Sequence, residues 1–485
     1  MRNIVLIITD TFRYDNLCGR CAAMPVRTPE LNRFIAERAT EVHGFYTGSF
    51  PTIPHRTDIA TGRLGWPNFG WQALLDHTHQ NHIAALLGAK GYATQLICDC
   101  PHLFNARFQH GFDAAFQHRG QEGDKPLLHL NDPIREAMPQ AKTRLRPLFR
   151  GHPLVDMHRW TNREWRYEAQ TFPAQTGSTA VRWLEENHAA GPFFLWVDFF
   201  DPHEPWDPPE YLVRRYDPDY SGPPMLHPNY GRSDDYTPAE LKNLRAHYAA
   251  ESELVDRWIG RVLQKMDDLG LWANTVVVVT SDHGMSLGEH GRTGKTNINE
   301  RDTRCWPTYP EIGHVPFLVA APDVPKGGRL DLFGQPMDFL PTVCDLAAVE
   351  VTPREPFHGR SFASALRAGS GGHREYVVTG CHLKPQPGAK TPRNKATTPF
   401  LITREWGYAP VGAEGLPELY DLRKDPQAET NVAPQRPAEL RELHKLFLAH
   451  LREHQAPADV LALWEHTPEA AAQRKPAADY DRPTF

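Results

Sequence analysis

Short apolar runs rich in β-branched and aromatic residues recur along the chain and alternate with segments of helical periodicity. Runs of this length and composition are typical of strands buried on both faces of a parallel sheet. The predicted core strands are residues 3–9, 92–98, 193–200, 275–280 and 314–322. The predicted helices are residues 29–39, 56–62, 80–90, 238–269 and 337–347. This alternation predicts an α/β fold, a mostly parallel sheet flanked by helices.

The pattern changes near residue 371, where shorter predicted strands are separated by Gly/Pro turns. These strands are residues 376–380, 399–410 and 418–422, and a helix is predicted over 437–454. A small antiparallel sheet with one packing helix is the simplest interpretation. We therefore predict three parts: a catalytic α/β domain over 1–370, a smaller C-terminal antiparallel α+β subdomain over 371–465, and an extended Ala/Pro-rich tail over 466–485.

Length and charge narrow the classes of protein to consider. At 485 residues the chain is long enough for one large domain and a smaller one. The net charge of −6, with both signs mixed along the chain, argues against a general nucleic-acid or membrane-surface binder. Neither a secretory leader nor a membrane-spanning apolar run is recognised, so we expect a cytoplasmic protein. A homo-oligomer remains compatible with the sequence.

Two features outside the core pattern allow two interpretations each. Cys18 and Cys21 form a C-x-x-C, which suits a redox pair or half of a zinc site, but equally scattered reduced thiols. His102 and an Arg/Trp-rich segment over 119–175 could line a pocket for an anionic or sugar-like ligand. The alternative is surface loops with packed tryptophans. Arg159, Trp160, Arg163, Trp165 and Arg166 are the residues concerned.

Acidic residues follow two of the predicted core strands. Asp10 ends the first strand, and Asp282 with His283 ends the strand at 275–280. Ligands of an open α/β sheet bind beyond the carboxyl ends of its strands, so these side chains should converge on one crevice. Two carboxylates and an imidazole suit a divalent metal ion, although a single Asp in such a place is often only a helix cap.

The segment GSFPTIPHRTDIATGR (48–63) predicts a turn followed by a helix start near Thr52. The free N–H groups and the dipole at a helix N-terminus favour an anion. Arg56 lies one turn further along and can reach the same anion with its planar guanidinium. The alternative is a capped surface helix with an exposed arginine.

Six blocks in this order and spacing resemble sulfatases of the alkaline phosphatase superfamily. They are ITDTFRYDNL (8–17), TPELNRF (28–34), PTIPHRTDIATGR (51–63), TSDHGMSLGEHG (280–291), HVPFLV (314–319) and ELYDLRKDPQAETNVA (418–433). The resemblance covers residues 3 to about 455. It implies the alkaline-phosphatase-like fold and activity on sulfate or phosphate esters.

The resemblance also implies roles for individual residues. Asp10, Asp282 and His283 match metal ligands, with Thr52 as a further ligand and nucleophile. Arg56 and Lys295 match residues that bind the ester oxygens. His203, in DPHEPWDPP, matches a pocket histidine on the side of the leaving group, and His314 precedes the VPFLV strand where such enzymes often carry His or Arg.

Two departures from the family pattern change these expectations. Thr11 stands where many sulfatases carry a second Asp, so one carboxylate ligand is missing. Three ligands including one His favour a single Mn or Zn ion, with Ca as a further candidate. Thr52 stands where sulfatases carry the Cys or Ser that becomes formylglycine, so no formylglycine is expected. Threonine nucleophiles do occur in phosphodiesterases and transferases of the superfamily.

These observations predict a metal-dependent hydrolase of small-molecule or saccharide sulfate or phosphate esters, with Thr52 as direct nucleophile. One alternative is a phosphodiesterase, phosphonate monoester hydrolase or phosphoryl transferase. An alternative of another class is a non-catalytic, sulfatase-like protein that only binds an anion.

Overall fold

A computed structural model of the chain describes residues 1–68, 70–74, 81–121, 124, 154–295, 306–381, 399–412 and 416–465. The predicted tail over 466–485 and the central part of the Arg/Trp-rich segment lie outside these residues. The strands, numbered in chain order, are β1 Asn3–Thr9, β2 Thr40–Phe45, β3 Ser49–Phe50, β4 Ala93–Cys98, β5 Ala114–Gln117, β6 Phe193–Phe199, β7 Gly231–Arg232, β8 Thr275–Ser281, β9 Ser286–Leu287, β10 Arg292–Gly294, β11 Phe317–Ala320, β12 Gly328–Gly334, β13 Tyr376–Cys381, β14 Phe400–Thr403, β15 Trp406–Ala409 and β16 Glu418–Asp421.

An eight-stranded sheet forms the centre of the fold, in the order β12-β2-β11-β8-β1-β6-β4-β5. All neighbours pair in parallel except β11, which runs antiparallel to β2 and β8. The predicted α/β class with a mostly parallel sheet is therefore confirmed. The antiparallel direction of β11 was not predicted, because an apolar run does not indicate which way its strand runs.

Central strand β1 is buried along its whole length, and its side chains alternate between two hydrophobic cores. Ile4, Leu6 and Ile8 join the core on one face of the sheet. Val5 and Ile7 join the core on the other face. Because successive side chains of a strand point to opposite faces, an uninterrupted apolar run is what a sheet covered by helices on both sides requires.

The helices, numbered in the same way, pack on both faces of this sheet and around the smaller one. They are α1 Pro29–Glu37, α2 Thr52–Thr61, α3 Ile83–Gly88, α4 Pro101–Asn105, α5 Leu154–Asn162, α6 Phe172–Asn187, α7 Glu210–Tyr216, α8 Pro238–Asp268, α9 Pro310–Gly313, α10 Phe339–Ala347, α11 Ala363–Ala368, α12 Pro437–Glu453 and α13 Ala458–Trp464. In the part of the chain with described coordinates, no helix has the length and apolar composition needed to cross a bilayer.

The long helix α8 begins at a capping box, in which Thr237 accepts from the backbone of Glu240 and the Glu240 carboxylate accepts from the backbone of Thr237. Pro238 at the first helical position is preorganised for the helix. The apolar side of α8 then covers one face of the central sheet through Val255, Ile259 and Val262. The predicted span of 238–269 is confirmed to within one residue.

A second sheet has the order β16-β15-β14-β13-β3. Strands β13 to β16 form the antiparallel part predicted after residue 371, and the single run predicted at 399–410 is in fact the hairpin β14–β15. Strand β3 comes from the first part of the chain and pairs in parallel with the end of β13. Because β3 immediately precedes α2 in the chain, the smaller sheet lies next to the start of α2. The division of the chain at residue 370 stays a prediction.

Candidate functional site

The ends of β1 and β8 carry the predicted acidic residues to one place. These strands are parallel neighbours with Thr9 opposite Ser281, so Asp10 and Asp282 emerge side by side at the carboxyl edge of the sheet. The ligand atoms of Asp10, Asp282 and His283 lie within 4.8 Å of one another, and all three residues are fully buried. The predicted convergence of the strand ends is confirmed.

The imidazole of His283 is oriented as a metal ligand would be. Its Nδ1 donates to the carbonyl of Gly284 at 2.9 Å, which leaves the lone pair of Nε2 directed at the carboxylates. Nε2 is buried without a hydrogen-bond partner and lies 3.6 Å from Asp282 Oδ2 and 3.8 Å from Asp10 Oδ1. Burial, followed by the positive charge of Lys295, lowers the pKa of His283 to about 3. These residues therefore fit a divalent cation.

Arg56 connects these acidic groups beneath the surface. Its Nη1 donates to Asp282 Oδ2 at 2.7 Å and to Asp10 Oδ2 at 3.2 Å. Nε and Nη2 form a bidentate pair with the carboxylate of Asp198 at 2.9 and 2.8 Å. The side chain is fully buried, so the alternative of an exposed surface arginine is wrong.

Opposing influences move the pKa values of Asp10 and Asp282 apart. Burial would raise the pKa of Asp10, but the charges of Arg56, His203 and Lys295 together lower it well below its usual value. Burial and the negative charge of Asp10 raise the pKa of Asp282 well above its usual value. Close carboxylates cannot both ionise cheaply in a buried site, and a bound cation relieves this repulsion.

Thr52 is the first residue of α2, and its side chain is buried. The helix starts four residues before the predicted 56–62, which puts the free N–H groups of its first turn at residue 52. The carbonyl of Thr52 accepts from Arg56 Nη1 at 3.1 Å, the same atom that contacts Asp10 and Asp282. The start of α2 therefore lies beside the acidic pair.

A second chain of contacts reaches the same site from the loop after β10. Lys295 Nζ donates to Thr11 Oγ1 at 3.5 Å, and Thr11 Oγ1 donates to Asp10 Oδ1 at 2.7 Å. Thr11 has a positive φ of 64°, a conformation uncommon for a β-branched residue. Lys295 Nζ also lies 3.8 Å from Glu204 Oε2, and Glu204 is fully buried.

His203 and His102 both contact the ring of Phe200. His203 stacks on Phe200 with centroids 4.3 Å apart, and His102 meets the same ring edge-on at 5.7 Å. The Nδ1 of His203 donates to the carbonyl of Glu204 at 2.6 Å. The charge of His203 helps to lower the pKa of Asp10, whereas His102 is not among the groups that shift it.

His314 is placed in a different environment. Its ring stacks between Tyr14 and Tyr46, with centroids 3.8 and 4.7 Å away, and its Nε2 donates to the carbonyl of His43. No contact of His314 with the Asp10 and His283 group is found among the residues whose coordinates are described. A structural role in positioning the start of β11 is consistent with these contacts.

Several residues of the site were not selected from the sequence. Asp198 is one of them, and the structure shows that its carboxylate holds Arg56. Its position near the end of a core strand is the same signal that identified Asp10. Tyr230 is another, since its hydroxyl donates to Glu204 Oε1. Thr11, Glu204 and Tyr230 had no comparable signal, because their roles depend on side-chain contacts across distant segments.

The amino-acid profile of the sulfatase family matches residues 2–349, which is most of the chain. The chain belongs to the sulfatase family. Membership makes this sulfatase-family protein a hydrolase of sulfuric or phosphoric esters, a class whose members use a divalent metal ion. The buried acidic group at the ends of β1 and β8 is its candidate ligand cluster.

Relatives of known name match almost the whole chain. An arylsulfatase of Clostridium perfringens is 25% identical over 468 residues, covering 89% of this chain and 90% of the relative. Arylsulfatase K of Homo sapiens is 24% identical over 482 residues, covering 89% of this chain and 78% of the relative.

Solved structures share the fold of this sulfatase-family protein. The phosphonate monoester hydrolase of Agrobacterium radiobacter superposes with a TM-score of 0.70 at 21% identity, covering 94% of this chain and 96% of that chain. A structure in complex with its substrate D-glucosamine-2-N,6-O-disulfate superposes with a TM-score of 0.68 at 18% identity, covering 94% and 99%. The predicted sulfatase-type fold is confirmed.

Proposed function

We propose that this sulfatase-family protein hydrolyses sulfate or phosphate esters with the hydroxyl of Thr52 as the direct nucleophile. The observation that carries the proposal is the position of Arg56 Nη1, which bonds the carbonyl of Thr52 and the carboxylates of Asp10 and Asp282 together. A hydroxyl at a helix start beside a candidate metal site is suited to nucleophilic attack. Thr52 cannot form the aldehyde that a Cys or Ser at this position would provide.

The proposed chemistry has two steps. Thr52 Oγ1 gives up its proton to solvent and bonds to the sulfur or phosphorus atom, the bond to the alcohol oxygen breaks, and His203 donates a proton from Nε2 to that oxygen. Water then attacks the threonyl ester, so that its OH stays on the released sulfate or phosphate and its second proton goes to Thr52 Oγ1. His203 regains a proton from solvent, and over both steps one water is consumed. Lys295 and the N–H groups at the start of α2 stabilise charge on the ester oxygens.

Asp10, Asp282 and His283 would hold the metal ion, with Thr52 as a further ligand. A mixed set of two carboxylates and one imidazole favours Mn or Zn, with Ca as a further candidate. When bound, such an ion supplies positive charge that activates a hydroxyl and neutralises ester oxygens. The ion pairs of Arg56 keep the carboxylates in place for this role.

The nature of residue 52 favours phosphate chemistry. A threonyl ester must be attacked a second time at its central atom, which phosphate tolerates well, whereas formylglycine expels sulfate without such an attack. The fold neighbours include phosphonate monoester hydrolases, a 2-O GAG sulfatase and a protein in complex with its substrate D-glucosamine-2-N,6-O-disulfate. We propose a phosphodiester, phosphonate monoester or saccharide sulfate as substrate.

A substrate panel with the metal-loaded protein tests the proposal. Aryl sulfate, phosphate monoester, phosphodiester and phosphonate substrates are assayed with Mn, Zn or Ca. We expect turnover of at least one, a loss of at least about 10³-fold in Thr52→Ala, and partial retention in Thr52→Ser, which keeps a hydroxyl. Activity that Thr52→Ala leaves unchanged would refute the nucleophile.

A second variant asks whether residue 52 alone separates this chain from formylglycine enzymes. Thr52→Cys creates the pattern Cys-x-Pro-x-Arg with Pro54 and Arg56. Produced in a host that forms formylglycine, it should gain aryl sulfate turnover relative to the wild type and lose phosphodiester turnover. Thr52→Cys from a host without that modification is the control.

Two rival functions give different results in the same assays. A transferase would release more product when an acceptor alcohol is added. A non-catalytic anion binder would bind metal and sulfate but turn over no substrate. The buried ion pairs of Arg56 with three carboxylates favour the enzyme, since a protein that only holds an anion needs no such arrangement.

A further inference from the structure

A cavity of about 390 Å³ lies between the end of α5, the segment that follows it and the loop after β6. This volume is within the range of small-molecule binding sites. Three arginines, two aromatic residues and one acid of the β6 loop are prominent in its lining: Arg159, Arg163, Arg166, Trp165, Tyr167 and Asp207. None of them belongs to the group around Asp10.

The arginines give the cavity a local excess of positive charge in a protein whose net charge is −6. Arg163 Nε and Arg166 Nη2 lie 3.1 and 3.9 Å from the carboxylate of Glu164, which is 76% exposed, and ion pairs with so exposed a group are weak. Arg166 Nη1 donates to the carbonyls of Arg163 and Trp165, and its side chain is 65% exposed. Guanidinium groups presented in this way match sulfate, phosphate and carboxylate oxygens.

The remaining lining suits a sugar ring rather than a bare ion. Trp165 packs edge-on against Phe172, with centroids 4.7 Å apart, and this contact limits its movement. Tyr167 is 66% exposed, so its ring is available to a ligand. Asp207, held by Asn162 Nδ2 at 3.0 Å, adds an acceptor for hydroxyl groups. Aromatic rings beside hydrogen-bonding groups bind the apolar and polar faces of a saccharide together.

The cavity is joined to the candidate active site by a short stretch of chain. Asp207 follows His203 by four residues, and a fully extended chain of that length spans at most about 14 Å. Between them, Trp206 is fully buried, and its Nε1 donates to the carbonyl of Pro202 at 2.7 Å. The wall of the cavity and the proposed acid His203 therefore belong to one well-anchored loop.

We propose that this cavity is a subsite for an anionic saccharide, which binds a second charged group of a substrate whose scissile ester lies at Thr52. This proposal rests on the proposed function and extends it from an ester class to a polyanionic oligosaccharide. The arginines bind the remote anionic group, and Trp165 with Tyr167 contacts the sugar ring. A small aryl ester would use the site at Thr52 without this subsite.

Binding is measured first, on a protein that does not turn over. Tryptophan fluorescence of Thr52→Ala is titrated with a heparin-derived tetrasaccharide, a neutral tetrasaccharide, inorganic sulfate and a single-stranded oligonucleotide of equal charge. The titration is repeated after adding Arg159→Gln, Arg163→Gln and Arg166→Gln, and in a milder variant with only the last two. The matched control removes three exposed arginines elsewhere, with Arg33→Gln, Arg367→Gln and Arg452→Gln.

We expect the heparin tetrasaccharide to bind and the cavity variants to weaken it at least about 10-fold, with little change in the control. Equal affinity in the cavity and control variants would overturn the subsite. Binding of inorganic sulfate without binding of the tetrasaccharide would also overturn it. So would an oligonucleotide that binds as tightly as the tetrasaccharide and loses its affinity in the same variants. Catalysis is assayed separately: kcat/KM of the wild-type background for an aryl ester should not change in the cavity variants. If no aryl ester is hydrolysed at all, the proposed function fails while the binding result still decides the subsite.

Discussion

Glu204 links two segments of the site, one that carries His203 and one that carries Lys295. Its Oε1 accepts from the hydroxyl of Tyr230, its Oε2 lies 3.8 Å from Lys295 Nζ, and its carbonyl accepts from His203 Nδ1. Burial would raise the pKa of Glu204, but the charges of His203 and Lys295 lower it. We interpret Glu204 as a positioning residue for both.

Replacing Glu204 by Gln keeps its shape and removes its charge. We expect kcat/KM to fall about 10-fold, equivalent to about 1.4 kcal/mol, because Lys295 loses its buried counter-charge. Steady-state kinetics of the wild type and Glu204→Gln measures this loss.

Tyr230→Phe is the matched control, because it removes one hydrogen bond and leaves the carboxylate charged. It should lower kcat/KM less. If Glu204→Gln and Tyr230→Phe lower kcat/KM equally, packing rather than charge explains the role of Glu204.

At the scale of elements, the short turn at residues 289–291 ties the central part of the fold to the smaller sheet. His290 Nδ1 donates to Glu311 Oε1 at 2.9 Å, and its Nε2 donates to the carbonyl of Ala428 at 2.8 Å. The ring also stacks on Tyr309, with centroids 3.8 Å apart. Only the protonated imidazole can donate from both nitrogens.

This turn predicts a pH-dependent contribution to stability. Burial would lower the pKa of His290, but the charge of Glu311 and its hydrogen bond raise it to about 9. A folded-state pKa above the unfolded value of about 6.5 gives stability that is complete below pH 6.5 and is lost as the pH rises through 9. The contribution is about 3 kcal/mol.

Thermal unfolding of the wild type and His290→Gln at pH 6, 7.5 and 9.5 measures this contribution. At pH 6 the wild type should unfold at a higher temperature than His290→Gln. This difference in thermal midpoint should shrink towards pH 9.5. A difference that is the same at all three values would show that the charged form of His290 adds nothing.

At the scale of the whole molecule, the candidate metal site joins the ends of β1 and β8 to the start of α2. Metal that binds only the folded protein should stabilise it by about 2.7 kcal/mol at one hundred times the dissociation constant. We expect Mn or Zn to raise the thermal midpoint and a chelator to reverse this.

Asp10→Asn should abolish the metal-induced shift, while Asp345→Asn, an exposed acid on α10, should retain it. The shift on adding metal is compared rather than the absolute midpoint, because Asp10→Asn also removes a partner of buried Arg56. A full shift in Asp10→Asn would place the ion elsewhere.

The sequence by itself determined the central strands and the residues at their ends. Uninterrupted apolar runs such as 3–9 and 275–280 can only be buried on both faces, so helices must cover the sheet. The carboxyl ends of parallel strands share one edge, so Asp10 and Asp282 had to lie along that edge. Arg56 and Lys295 were also found from the sequence, because both belong to short motifs that resemble those of the family.

Only the tertiary structure decided which strands became neighbours and which side chains met. The order that brings β2 and β12 to one edge of the sheet, the antiparallel direction of β11 and the pairing of β3 with β13 all come from contacts between distant segments. The same is true of the contacts of Glu204. Local periodicity predicts which face of a strand or helix a side chain lies on. Its contact partner depends on long-range packing, which no single segment encodes.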